Sequence, residues 1–402
     1  AVVLTHAHLD HCGRLPSLTK AGFRGSIYCT PATRDLADIT LKDAAGITNH
    51  HQLSSGRHGE LHDLEYTLAD VEQCLKQFRP IEYNTPTPIT DGVTLELADA
   101  GHILGAASVR ITIDDRQIVF SGDIGNPGSA IVRDPQPFDH ADVIVMEATY
   151  GDREHHDEID PLKHFIALVE QAVLRHGVVL IPAFSIERTQ ELLYAFFEWQ
   201  REASLNHIPV FLDSPMAIRA TEVFRRYPEY YDQEATTIVN AGRDFFRFPM
   251  LKTTLTPESS KAIAHTPAPK IIIAGSGMLT GGRILYHLRD HLAEPTTTLI
   301  FTGYQAQGTL GRRILNGDRE IWVKHERIPV RAQIEALDSL SAHADRTSLL
   351  QWLSAILGVK QLIIGHADED ARVSFAKLAK DKLGLTAHLP TAGEVITVGS
   401  PH

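Results

Sequence analysis

Cysteine is almost absent: the 402 residues hold three, Cys12, Cys29 and Cys74, and no two stand in CxxC spacing. So odd and sparse a set excludes a disulfide framework and a cysteine zinc site, and it suits a reducing cytoplasm. Long apolar runs are missing too. No stretch approaches the roughly 18 to 20 residues a membrane-spanning helix needs, and the first residues lack the blocks of a secretory signal, so no membrane partner is expected. Positive charge is in deficit, with 38 Lys plus Arg against 50 Asp plus Glu and a formal net charge of −12. That deficit excludes a broad, sequence-independent nucleic-acid coat, whose affinity comes from many cations on phosphates. Any nucleic acid would be held locally, in a groove. The chain does not begin with Met, and Ala1-Val2-Val3-Leu4 reads as a strand already under way, so the sequence reads as a fragment.

What is there is an ordinary globular composition, 43% apolar and 22% charged. The length exceeds what one core usually fills, which predicts two domains. Histidine stands out, with 22 residues, and its uses include metal ligation and proton transfer. Short Val- and Ile-rich runs alternate with helical patterns, the mark of an α/β protein with largely parallel sheets. Strands are expected at 1–4, 93–99, 109–113, 117–121, 143–147, 178–182, 210–212, 271–274, 298–301 and 362–364. Helical periodicity runs through Leu162, Phe165, Ile166, Val169, Ala172 and Val173, with Gly177 as the expected C-terminal cap. It recurs over 187–199, 283–292 and 346–357. The His-, Gly- and Ser-rich stretch 49–62 reads as a solvated loop.

Directly after the first expected strand comes Thr5-His6-Ala7-His8-Leu9-Asp10-His11. In an extended chain His6 and His8 point the same way, and a following turn brings Asp10 and His11 to a neighbouring point. Zinc takes His nitrogen and Asp oxygen, and a catalytic site keeps one position open. Two more strand ends carry a ligand type beside glycine, His102 in Asp99-Ala100-Gly101-His102-Ile103-Leu104-Gly105 and Asp123 in Phe120-Ser121-Gly122-Asp123-Ile124-Gly125. Strand ends on one sheet edge converge on one cleft.

The His6-to-His11 motif with His102 and Asp123 resembles the metallo-β-lactamase superfamily. Glu147-Ala148-Thr149-Tyr150-Gly151, Ser341-Ala342-His343-Ala344-Asp345 and Ile364-Gly365-His366 resemble the signature motifs of its β-CASP ribonucleases, relatives of the cleavage-and-polyadenylation endonuclease. The resemblance covers nearly the whole chain. It implies a metallo-β-lactamase αββα sandwich, short of N-terminal strands, over 1–151 and 342–402, with a doubly wound β-CASP domain inserted at 152–341. It implies two Zn2+ per chain, one on His6, His8 and His102, the other on Asp10, His11 and His366, with Asp123 bridging. The expected catalytic residues are Asp10, Asp123, Glu147 and His343, with Glu147 paired to His343 and His343 protonating the leaving 3′ oxygen. The implied reaction is hydrolysis of RNA by a two-metal bridging hydroxide, endonucleolytic, leaving 5′-phosphate and 3′-hydroxyl ends. A 5′-3′ exoribonuclease of the same family and a non-catalytic scaffold subunit are the alternatives, and retention of all seven ligands speaks against the scaffold. Departures are Ala148, where Ser is common, and His366-Ala367-Asp368, where the family usually continues His-Gly-Glu.

The run Ile271-Ile272-Ile273-Ala274-Gly275-Ser276-Gly277-Met278-Leu279-Thr280-Gly281-Gly282 is a strand followed by a Gly-rich loop and a helix. Such a loop presents backbone N–H groups to phosphate, though it matches neither a dinucleotide fingerprint nor a nucleotide P-loop. The resemblance points to RNA backbone contacts from Ser276, Gly277 and Met278. Arg283, Arg312 and Arg313 are further phosphate candidates. The expected partner is single-stranded RNA in a cleft between the domains, and a homodimer is a candidate assembly.

Overall fold

A computed structural model describes residues 1–55, 66–155, 160–202, 207–337 and 340–398. The chain divides into two compact units, Ala1–Glu154 with Ala342–His402, and His155–Ser341.

The first unit holds a seven-stranded and a three-stranded sheet. In the large sheet, Thr87–Thr90, Val93–Asp99, Ala107–Ile113 and Arg116–Phe120 pair antiparallel in succession, and Val143–Glu147, Gln361–Gly365 and Ala387–His388 then extend it in parallel. Alternation along Val93–Asp99 sets its faces. Leu95 and Leu97 pack with Val109 against Val3, Tyr28 and Ile81 of the small sheet region, while Glu96 takes Arg110 across the register. On the opposite face Val119, Ile144 and Met146 bury against Leu349, Trp352 and Phe375 of helices Arg346–Ser354 and Glu369–Leu383. The small sheet pairs Val2–Val3, Ile27–Cys29 and Phe78–Pro80 in parallel.

The second unit is a six-stranded parallel sheet in the order Leu251–Thr253, Val210–Leu212, Lys270–Ala274, Val178–Pro182, Thr298–Phe301, Gln333–Ala336. Val178–Pro182 and Lys270–Ala274 are buried throughout, as a parallel strand covered on both faces must be, which is why 178–182 and 271–274 read as unbroken apolar runs. A two-residue turn, Lys324 and His325 with φ +47° and +70°, joins the hairpin Glu320–Val323 and Glu326–Pro329.

Two expectations are corrected. The left-handed residue that ends helix Pro161–Leu174 is His176, at φ +55°, not Gly177, whose N–H still closes the helix end on the Ala172 carbonyl at 3.2 Å. Glycine is required at 177 because a Cβ there would sit 1.9 Å from the Thr296 carbonyl oxygen. The expected loop 49–62 is helical as far as Ser55, continuing helix Pro31–Ser55, and its remainder lies outside the described residues. Among the described residues no helix is long and apolar enough to cross a membrane. All three cysteines are free and buried, and burial pushes the Cys12 thiol up to about 12.

Candidate metal centre

Strand direction gathers the site. Gln361–Gly365, Val143–Glu147 and Arg116–Phe120 are adjacent and parallel, and Val93–Asp99 runs the same way with one antiparallel strand between. His366, Glu147, Asp123 and His102 therefore all emerge at one sheet edge, where crevices form. His8 is the N-cap of the four-residue helix Leu9–Cys12. His6 and His8 thus leave extended backbone, while Asp10 and His11 ride on the first helical turn. The loops bearing His102 and Asp123 touch so closely that a Cβ on Gly125 would lie 1.7 Å from the Gly101 carbonyl oxygen. His366 holds φ +44°, a left-handed conformation uncommon outside glycine and typical of functional sites.

All seven expected ligands meet here, in two groups. In the first, His8 Nδ1 lies 3.2 Å from both His6 Nε2 and His102 Nε2, and Asp123 Oδ2 lies 3.4 and 3.6 Å from the latter two. A tetrahedral cation about 2.0 to 2.1 Å from each donor holds its donors about 3.3 Å apart, so these four atoms outline such a shell. In the second group His11 Nε2 and His366 Nε2 lie 3.6 and 3.8 Å from Asp10 Oδ2. Asp123 reaches this group too, with Oδ2 3.4 Å from His11 and Oδ1 3.4 Å from His366. Asp123 Oδ1 and His11 Nε2 are buried with no hydrogen-bond partner. Orphaned polar atoms of this kind in a ring of ligands fit a cation on each side of Asp123. His6, His102 and Asp123 are buried and His8 is partly so, whereas the Asp10 side chain is 64% exposed.

Electrostatics agrees with the donor chemistry. Burial drives His6, His8 and His102 below the usual histidine range, His8 and His102 far below, which keeps them neutral as metal ligation requires. Burial alone would raise Asp123, but the rings of His11, His366 and His6 hold it well below the carboxylate range. The Asp123 carboxylate in turn lifts His366 to about 9, so a cation there displaces a proton.

His343 stands beside the two groups and belongs to neither. Its Nδ1 meets Glu147 Oε1 at 3.2 Å, and its ring centroid is 4.5 Å from that of His102. Glu147 is itself fixed, accepting the N–H of Ile124 at 2.7 Å and of Thr149 at 3.1 Å. Burial lowers the His343 pKa, and the Glu147 carboxylate more than offsets that and raises it. Outer partners set ring orientation. His6 Nδ1 faces Thr5 Oγ1 at 3.2 Å, and His102 Nδ1 faces the Ala342 carbonyl at 3.1 Å. Sequence reasoning missed both. Thr5 adjoins the motif and was open to inspection, whereas a backbone carbonyl 240 positions away leaves no trace in residue type. Ala148 is fully buried, and Thr149 Oγ1 donates to the His366 carbonyl at 3.2 Å, tying two motif loops together.

Three family models match the chain: a Beta-lactamase superfamily domain over residues 1–179, a Beta-Casp domain over 189–314, and a Zn-dependent metallo-hydrolase RNA specificity domain over 327–390. "Ribonuclease TTHA0252" of Thermus thermophilus is 36% identical over 378 residues, 94% of this chain and 83% of that protein. The chain belongs to the metallo-β-lactamase β-CASP ribonuclease family. An "RNase J-like protein" of Methanocaldococcus jannaschii is 30% identical over 99% of this chain and 88% of its own length. "Transcription termination factor FttA" of the same organism is 31% identical, and there the chain spans 63% of the relative. As a β-CASP family member the chain is a metal-dependent hydrolase, a metallo-β-lactamase domain with a β-CASP domain inserted.

The remaining expected site residues lie in the second unit. Ser276 Oγ is used within its own loop, accepting the N–H of Thr280 at 3.0 Å and of Gly281 at 3.2 Å. The N–H groups of Gly277 and Met278 donate to no group among the described residues. Arg283 is committed inward, its guanidinium donating to Asp213 Oδ1 at 2.7 Å and to the Thr254 and Leu255 carbonyls. Arg313 pairs with Asp318, and Arg312 lies over the Tyr304 ring at 5.6 Å.

Proposed function

We propose that the chain is a zinc-dependent ribonuclease that cuts single-stranded RNA internally, leaving 5′-phosphate and 3′-hydroxyl ends. The observation that carries this reading is the pairing of two ligand groups around Asp123 with a non-ligand imidazole, His343, held by a buried carboxylate. Two zinc ions, one with His6, His8 and His102, the other with Asp10, His11 and His366, would supply Lewis acidity toward water and the phosphoryl oxygens. The protein's own residues do the rest. Asp123 fixes the spacing of the two groups. Asp10, the most exposed ligand, faces the side from which substrate and water arrive. His343, with Nδ1 on Glu147, delivers a proton from Nε2 to the leaving 3′ oxygen, and Glu147 stabilises the imidazolium. In the second unit the unpartnered N–H groups of Gly277 and Met278 suit a backbone phosphate, with Ser276 shaping their loop and Arg283 anchoring it from below. The matched RNA specificity domain and the relatives named ribonuclease and RNase J-like support RNA as the substrate.

Incubation with 5′-labelled linear RNA and with circular RNA, with and without chelator, tests this. Chelator-sensitive opening of the circle is expected. Stepwise shortening of the linear RNA with an intact circle would favour 5′-3′ exonuclease action instead. Cleavage of neither RNA, or cleavage indifferent to chelator, overturns the reading.

A further inference from the structure

The winding of the parallel sheet in the second unit reverses between two neighbouring strands. From Val178–Pro182 the chain crosses to Val210–Leu212 on one side, and from Lys270–Ala274 it crosses to Thr298–Phe301 on the other. The loops leaving these two strands therefore diverge, and the crevice opened at their carboxyl ends is where open α/β sheets bind ligands. One side chain there breaks the burial pattern. Ala183 and Ile186 are buried, but Phe184 between them is 42% exposed.

The ring is backed rather than loose. A Cβ on Gly277 would come within 2.9 Å of Phe184 Cδ2 and 3.0 Å of Cε2, and one on Gly303 within 3.8 Å of Cε2. Two glycines from two other strand-end loops thus make the bed on which the ring rests. Gln305, almost fully buried, ties these loops together by donating to the carbonyls of Gly277 and Gly303. In the same strand-end loops, the hydroxyls of Ser185, next in the chain to Phe184, and Ser214 lie 3.3 Å apart and close to Gly275. A rigid aromatic surface, hydroxyls, and the unpartnered N–H groups of Gly277 and Met278 together match the three parts of a nucleotide: base, sugar and phosphate. Aromatic stacking tolerates any base, because every base has a π face.

We propose that Phe184 is a stacking platform for one nucleobase of the bound strand, seated at the switch point of the parallel sheet. The proposal rests on the RNA reading above. Stacking of one base on one ring is worth about 1–3 kcal/mol, or about five- to 150-fold.

The test is a cycle between Phe184 and the base. A set of RNA substrates carries a single abasic ribose moved one position at a time, and KM and kcat are measured for wild type, Phe184→Ala, Phe184→Leu and Phe184→Trp. Leu still covers the glycines but cannot stack, and thermal unfolding of each variant checks the fold. For wild type, one abasic position is expected to raise KM about tenfold. For Ala and Leu, KM on intact RNA should rise by the same factor with kcat little changed, and the abasic position should cost nothing further. Trp should restore the wild-type KM, and its fluorescence should be quenched by RNA. Ala and Leu variants with wild-type KM, or an abasic penalty that persists unchanged in them, overturn the platform while leaving the ribonuclease reading intact. A wild-type chain that neither cuts nor binds RNA overturns both.

Discussion

Asp123 in the first unit and Asp213 in the second are both carboxylates sunk at a strand end, 2% and 0% exposed, and their surroundings meet burial in opposite ways. Asp213 is saturated by protein donors: Thr254 Oγ1 at 2.6 Å, and Ser260 Oγ, Arg283 and His287 Nε2 each at 2.7 Å. Burial would raise its pKa, yet these four hold it well below the carboxylate range. Asp123 faces imidazole nitrogens at 3.4 to 3.6 Å, and its Oδ1 accepts no hydrogen bond among the described residues. A buried carboxylate completed by the chain is a knot in the fold. One whose Oδ1 is left without a donor among imidazoles suits a cation, because an uncompensated buried charge is costly.

The largest effect is expected from Asp123→Ala. Loss of the shared ligand should lower cleavage about a thousandfold or more, since Lewis-acid stabilisation is worth several kcal/mol. Zinc content by elemental analysis should fall below about two per chain, and an unchanged rate removes Asp123 from the centre. Next comes His343→Ala, which should cost about a hundredfold in kcat with zinc retained; loss of zinc would make the residue structural. Asp213→Asn should do the reverse of Asp123→Ala, keeping zinc while costing about 3 kcal/mol in urea unfolding of the second unit at neutral pH. The sign with pH follows from the depressed folded-state pKa. Asp213 contributes stability above its unfolded value of about 3.9 that is lost as pH falls toward the folded value, so the gap between wild type and Asp213→Asn should close in acid. A gap that widens in acid would show that the charged form is not what the network holds. The smallest effect is Ser260→Ala, one hydrogen bond to a charged acceptor, at about 1 to 2 kcal/mol and no change in zinc.

The same two aspartates show how far the sequence reached. Asp123 was legible because glycines flank it at a strand end and its partners are histidines in tight spacing. Asp213 was legible only as part of a familiar-looking run, Asp213-Ser214-Pro215, since Thr254, Ser260, Arg283 and His287 are scattered over 34 positions with no common pattern. Arg283 illustrates the cost of that gap: read alone it is a phosphate candidate, and in place it is an anchor for Asp213. Long, strongly apolar strands such as Val143–Glu147 and Val178–Pro182 were read to the residue. Short or polar ones escaped, among them Thr87–Thr90, whose Pro88 argues against a strand, and Leu251–Thr253, with one apolar residue in three and its Lys and Thr exposed at the sheet edge.

Residue types and their local spacing carried the α/β alternation and the candidate donors of His6 to His11, His102 and Asp123, because donor chemistry and hydrophobic period are local properties of neighbouring residues; His366 came only with the family resemblance. Which carboxylate is complete, which arginine is spent inside, and that Phe184 rests on glycines from two distant loops became visible in the folded chain. Those facts depend on atoms brought together by strand order and direction, which no local spacing encodes.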